Sequence, residues 1–244
     1  MSRYRAALYH FGISLVVFVF LAYLVLVVWF PAFFYAIDGG WEGMRIIIGV
    51  DLVLGPTLTL IVFKVGKPGL KLDLTLIGLF QSICLAAGVY VVYSERPLFF
   101  IYYDKHFYSA SADTFTRYGR PVPDLPEYSE KLPIEIFIEL PESPIEEADL
   151  RRILTQDRIP AWIYEPLFTP LAASMDEVLT GGIELEELKD RDTNDNLTSW
   201  LEKYGGAAAD YVFIPIHSRY RDAFIALSPH DGQFVDIVEI RPPL

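Results

Sequence analysis

No Asp, Glu, Lys or Arg occurs between Ala6 and Ile37. So long an uncharged apolar run suits a lipid bilayer, where a chain must close its backbone hydrogen bonds within itself, as a helix does. Crossing a ~30 Å hydrocarbon core takes about 20 apolar residues. Three windows meet that requirement: Phe11–Phe30, Ile46–Phe63 and Leu74–Tyr93, the last carrying Gln81, Ser82 and Cys84 in its middle. Any one of them could be a buried core helix. Three in succession, without helical periodicity and joined by short connections, predict a transmembrane bundle. The first window exceeds the ~7–15-residue apolar core of a signal peptide, and Phe34 stands where cleavage after Ala36 would need a small residue. It is read as an anchor.

Charge divides the chain where apolarity does. Residues 1–93 hold six Lys and Arg against four Asp and Glu, and residues 94–244 hold 14 against 28. The expected organisation is a transmembrane domain over 1–93 and a water-soluble, acidic domain over 94–244. Cations mark the cytoplasmic side of a membrane protein. Arg3, Arg5, Lys64, Lys67 and Lys71 therefore place the N-terminus and the second connection in the cytoplasm. The first connection, "PAFFYAIDGGWEGM", has no cation and faces the other side, as does everything after Tyr93. Trp29, Trp41, Tyr90 and Tyr93 fit an aromatic belt at that outer boundary.

The acidic part has no cysteine, so its ~150 residues must hold together by an ordinary core, which that length can supply. "RPLFFIYYD" reads as an aromatic strand, and "LPIEIFIEL" alternates with a period of two. "PESPIEEADLRRILTQ" reads as a helix starting at Ser143-Pro144, with Ile145, Leu150, Ile153 and Leu154 as its buried stripe. Shorter helical pieces are expected around Leu171–Leu179 and Asn196–Tyr204. "YVFIPI" and "AFIALSPHDGQFVDIVEI" supply three more strands, the last two joined by a turn at Asp231-Gly232. Between the first two strands, Arg117–Lys131 carries Pro121, Pro123 and Pro126 and reads as a loop. The fold class is a three-helix N-terminal transmembrane bundle followed by an α+β periplasmic domain with about five strands.

Catalytic signatures are scarce. His106, His217 and His230 are far apart and lack Cys partners or an H-x-x-x-H pair, so they read as structural histidines rather than metal ligands. There is no nucleophile elbow and no phosphate-cradling glycine loop. "IEEAD" and "IELEELKDRD" read as solvated helix faces. The acidity opposes nucleic-acid binding. No cofactor or metal is expected, and no enzymatic activity. A membrane-anchored periplasmic enzyme, or a small ion- or proton-conducting protein using Asp51, are the alternatives.

Asp51 is the residue that asks for a role. It lies about seven residues inside the outer end of its helix, ~10 Å deep at 1.5 Å per residue, where an ionisable group must face the bundle, water or a partner. Pro56 withholds a backbone N–H and frees the carbonyl of Leu52 beside it, a turn that Thr57 and Thr59 hydroxyls could help to satisfy. Three readings stay open: Asp51 as polar glue with Gln81 or Ser82, Asp51 as a contact for a client transmembrane helix, or an ion path. Asp51, Gly55, Pro56 and Gln81 are the candidate contact or glue residues, with Gly39, Gly40 and Trp41 as a candidate loop motif.

In order and spacing, "GGW", "GVDLVLGPTLTLIVF", "GKPGLKLDL" and "ERPLFF" resemble the type IV pilin accessory proteins of the TfpX/TfpZ family. The resemblance is densest over about residues 1–110 and returns in "RYRDAFIALSPHDGQFVDIVEI". Gly39, Gly40, Trp41, Gly49, Asp51, Gly55, Pro56, Lys71 and Asp73 match the family pattern, while Pro68 departs from it within a turn. The resemblance implies a bacterial inner-membrane protein with a periplasmic domain that stabilises a type IV major pilin, in chaperone-like fashion, and promotes pilus assembly. Neither composition nor resemblance fixes the oligomeric state.

Overall fold

The computed structural model describes residues 2–124 and 131–240, so Pro126 of the proline-bearing loop lies outside the described residues. The chain forms two compact units, Met1–Arg96 and Pro97–Leu244.

The first unit contains three helices long and apolar enough to cross a membrane: α1 (Arg3–Trp29), α2 (Gly40–Val62) and α3 (Leu70–Ser94). Most of their side chains point outward, as expected where lipid rather than protein covers the apolar surface. Ser2 caps α1 by accepting from the Arg5 N–H. Two stretches, Leu24–Trp29 and Ile48–Leu54, widen from α- to π-helical winding. The α2–α3 turn is closed by Gly66 and Gly69 in left-handed conformations and by an ion pair between Lys67 and Asp73 at 2.6 Å. At one end of the bundle Trp29 and Tyr93 meet edge to face at 5.3 Å, and the Arg96 guanidinium lies over the Tyr93 ring.

The second unit is built on a mixed sheet of seven strands: β1 (Phe99–Tyr103), β2 (His106–Ala110), β3 (Ile134–Ile138), β4 (Phe168–Pro170), β5 (Val212–His217), β6 (Ala223–Leu227) and β7 (Phe234–Val238). Their order is β4-β3-β1-β2-β5-β6-β7. The β1–β3 and β2–β5 pairs are parallel and the rest antiparallel. The expectation of about five strands is therefore corrected by two, β2 and β4. Strand β2 pairs with β1 through a two-residue turn, Asp104-Lys105, in which both residues have positive φ. Such a turn normally advertises itself with Asn-Gly or Asp-Gly. Strand β4 is three residues at a sheet edge, one of them Pro170, and proline is tolerated there because an edge N–H needs no ladder partner.

Among the described residues five α-helices accompany the sheet: α4 (Ala112–Arg117), α5 (Pro144–Asp157), α6 (Met175–Thr180), α7 (Leu185–Arg191) and α8 (Asn196–Tyr204). One apolar cluster joins β1, β2 and β3 to α4 and α5 through Phe99, Ile101, Phe115, Ile136 and Leu150. A second joins β5, β6 and β7 to α7 and α8 through Phe213, Phe224, Leu188, Leu197 and Trp200. Every residue of β6 is buried, so this strand is covered on both faces. The expected α5 stripe is corrected at one end: Leu150 is buried, while Ile145 is 76% exposed. Five residues at about 100° each put Ile145 roughly 140° around the helix from Leu150, off the face that meets the sheet.

Candidate functional site

Among the described residues, four polar side chains are buried on the three long apolar helices, in a unit where most apolar side chains are exposed: Ser14, Asp51, Thr59 and Gln81. They form a seam through the interior. The Ser14 hydroxyl donates to Asp51 Oδ1 at 3.2 Å, tying α1 to α2. His10 Nδ1 and Thr59 Oγ1 lie 2.6 Å apart and tie the same helices at a second level. Gln81 of α3 reaches across to the Val50 carbonyl, 3.5 Å from Nε2. This inward placement is what a bilayer would require, because a polar group turned to lipid has nothing to bond. Asp51 Oδ2 and Gln81 Oε1 are buried and have no hydrogen-bond partner among the described residues. The seam therefore offers unused acceptors, suited to an N–H or O–H donor.

Sequence reasoning selected Asp51 and Gln81 and missed His10 and Ser14. The signal was present: these two lie four apart, one above the other on a helix face, inside a span that carries no charge. Of the two polar candidates on α3, Gln81 points inward, whereas Ser82 is exposed and bonds back to the Gly78 carbonyl.

The Gly55-Pro56 pair follows the π-wound stretch Ile48–Leu54. A widened turn changes which N–H each carbonyl meets and lets the helix pass a residue that has no donor. Thr57 Oγ1 donates to the Val53 carbonyl at 2.7 Å, one residue beyond the Leu52 carbonyl that Pro56 was expected to free. Thr59 does not serve that turn, since its hydroxyl is engaged with His10. Gly55 is where α3 comes closest: a Cβ there would stand 1.9 Å from Gln81 Nε2. Pro56 lines a shallow groove of about 290 Å³ with Tyr4, Leu8, Phe11 and Leu60.

The Gly-Gly-Trp loop has a geometric explanation. Gly39 precedes α2 with φ +98°, a left-handed conformation that an L side chain resists. A Cβ on Gly40 would lie 2.7 Å from the Tyr35 ring, and Trp41 meets that ring edge to face at 6.3 Å. The motif lets the chain turn tightly before α2.

In the second unit the parallel β2–β5 pairing brings His106 and His217 together, stacked at 5.1 Å. Their separation in sequence hid this. Tyr108 stacks on Trp162 at 4.8 Å, extending the row. Burial, with Asp104 and Tyr103 nearby, pushes the Tyr108 hydroxyl above its usual pKa. Among the described residues no three His, Cys, Asp or Glu side chains could hold a metal ion.

Comparison with known proteins identifies relatives. The model of the fimbrial assembly protein FimB family matches residues 1–39. The fimbrial assembly protein of serogroups C1 and C2 of Dichelobacter nodosus is 36% identical over 92 residues, covering 36% of this chain and 70% of the relative. The serogroup I and serogroup E1 fimbrial assembly proteins of the same organism are also 36% identical over 92 residues, and there the match spans 35% of each relative's length. No solved structure matches. With two thirds of one such relative covered at this identity, the chain belongs to the family of fimbrial assembly proteins, a type IV pilus accessory family.

Proposed function

We propose that this protein is a pilin-specific accessory factor: it holds a type IV pilin in the bacterial inner membrane and promotes its assembly into pili. The observation that carries this reading is the kinship with the fimbrial assembly proteins of Dichelobacter nodosus. The N-terminus and the Lys64–Asp73 turn lie in the cytoplasm, and the second unit lies in the periplasm, following the distribution of cations. The outward apolar faces of the three helices and the seam at Asp51 and Gln81 receive the apolar helix of the pilin, and the second unit contacts its head. Two linked contacts raise the effective concentration of each for the other. The role is one of holding and delivery, not of catalysis.

The test is deletion and restoration of the gene in the native bacterium, with pilin transcript, pilin protein and surface pili measured together. Loss of pili at normal transcript level, reversed by restoration, supports the reading. A fall in pilin protein then indicates protection, and a normal level indicates delivery. Unchanged pilin and pili would overturn it.

A further inference from the structure

The carboxyl ends of the parallel pair β1 and β3 open into a cavity of about 720 Å³ within the second unit. The carboxyl ends of parallel strands are where sheets of this kind place ligands. Asp104, Glu139, Glu142 and Glu177 line the cavity, against one cation, Lys105. Among the described residues none of the four carboxylates forms an ion pair with another side chain. A cluster of acids is common on an acidic surface, and alone it says nothing.

The independent observation is Tyr102. It is 4% exposed, lines the same cavity, and stacks on Phe137 at 5.7 Å. Its hydroxyl sits against Gly181, where a Cβ would fall 1.9 Å away. Among the described residues no side chain or backbone group hydrogen-bonds to it, so on an otherwise buried side chain the hydroxyl is left for a group that enters the cavity. Burial, reinforced by Glu177 and Asp104, pushes its pKa up to about 12, so near neutral pH it stays a phenol that can accept from a cationic N–H.

We propose that this cavity is a docking site for a lysine or arginine side chain presented by an extended segment of a partner protein. The excess of carboxylates sets the sign of the ligand. Its size is set by the cavity, whose roughly 720 Å³ admits a long side chain; among the described residues no three His, Cys, Asp or Glu side chains could hold a metal ion there instead. Leu140, exposed at the rim, supplies apolar surface for the aliphatic stem of a long cationic side chain. The inference does not depend on the partner being a pilin.

The test uses the full chain in phosphatidylcholine nanodiscs, titrated with a fluorescein-labelled Ala-Arg-Ala-Lys-Ala amide and followed by anisotropy. The expected result is saturable, salt-sensitive binding, with the Ala-Gln-Ala-Gln-Ala counterpart not binding. Glu139→Gln/Glu177→Gln should weaken the affinity about tenfold, and Tyr102→Phe about threefold, in line with the loss of partly exposed charge pairs and one hydrogen bond. A distal double variant, Glu186→Gln/Glu202→Gln on α7 and α8, should bind as the parent does. Equal weakening by the distal variant would reduce the effect to net charge and overturn the proposal, as would displacement of the peptide by stoichiometric Ca²⁺ or no binding at all.

Discussion

Gly55 of α2 and Gln81 of α3 compete for one volume: a Cβ on Gly55 would stand 1.9 Å from Gln81 Nε2 and 2.6 Å from its Cδ. The close approach of α2 and α3 depends on the missing side chain, as small residues commonly permit between membrane helices. Gly55→Ala should therefore push Gln81 off the Val50 carbonyl and destabilise the bundle by about 1–3 kcal/mol, the usual cost of overpacking. Gln81→Ala combined with Gly55→Ala should recover most of that loss. The check is a double-mutant cycle on unfolding in mixed detergent, and strictly additive losses would show that the two residues do not share this space.

Ser14 and Asp51 make another inter-helix bond whose removal is measurable. Ser14→Ala should lower bundle stability by roughly 0.6 kcal/mol, the average for hydrogen bonds between membrane helices. Asp51→Asn retains an oxygen to accept from Ser14 and should leave the fold intact. If the seam also receives a donor from a client helix, Asp51→Asn should nevertheless lower pilin crosslinking in cells. Unchanged crosslinking and piliation would confine Asp51 to the bundle.

In the second unit, Trp200 presents a contrast between size and polarity. Its ring packs among Tyr204, Tyr211 and Phe213, while its indole N–H is buried with no hydrogen-bond partner among the described residues. Trp200→Ala should cost about 3–5 kcal/mol through the cavity it opens. Trp200→Phe loses some contact but also removes an unpaired buried donor, whose desolvation costs about 1–3 kcal/mol. That variant should lie within about 1 kcal/mol of the parent. Denaturant titration of the full chain separates the two cases.

Tyr102 supplies a pH signature independent of any ligand. Its pKa is raised to about 12 by burial and by the Glu177 and Asp104 carboxylates, against about 10 in an unfolded chain. The folded state holds the proton more tightly. Below pH ~10 both states keep it and stability is unaffected by this group; between about 10 and 12 only the unfolded state releases it, so stability falls as pH rises. Thermal unfolding of the second unit, followed by near-UV circular dichroism, should shift downward over that window. Tyr102→Phe should flatten this part of the slope, and an unchanged slope would place the alkaline loss elsewhere.

The fold was legible wherever one segment decides its own structure. Spanning length and apolarity are properties of contiguous residues, so the three long helices could be read directly from the windows around Phe11–Phe30, Ile46–Phe63 and Leu74–Tyr93. The alternation of Ile134, Ile136 and Ile138 with Glu135 likewise marked β3 as a strand with a buried face. Strand β2 escaped because Asp104-Lys105 adopts a glycine-like turn without glycine, and β4 because three residues are too few to show a period.

The site was legible only by type. That Asp51 must turn away from lipid follows from the cost of a charge in hydrocarbon, and the sequence by itself determined this. Which groups meet it did not follow, because Ser14 lies 37 positions away and Gln81 reaches α2 from another helix altogether. The same holds for the acidic cavity, which joins the ends of β1 and β3 to α6. Hydropathy and periodicity are summed along the chain, whereas hydrogen bonds, stacking and shared volume are settled between segments. Tertiary structure alone brought together Ser14 with Asp51, Gly55 with Gln81 and Tyr102 with Gly181, because direct contact depends on how helices and strands pack and not on their separation in sequence.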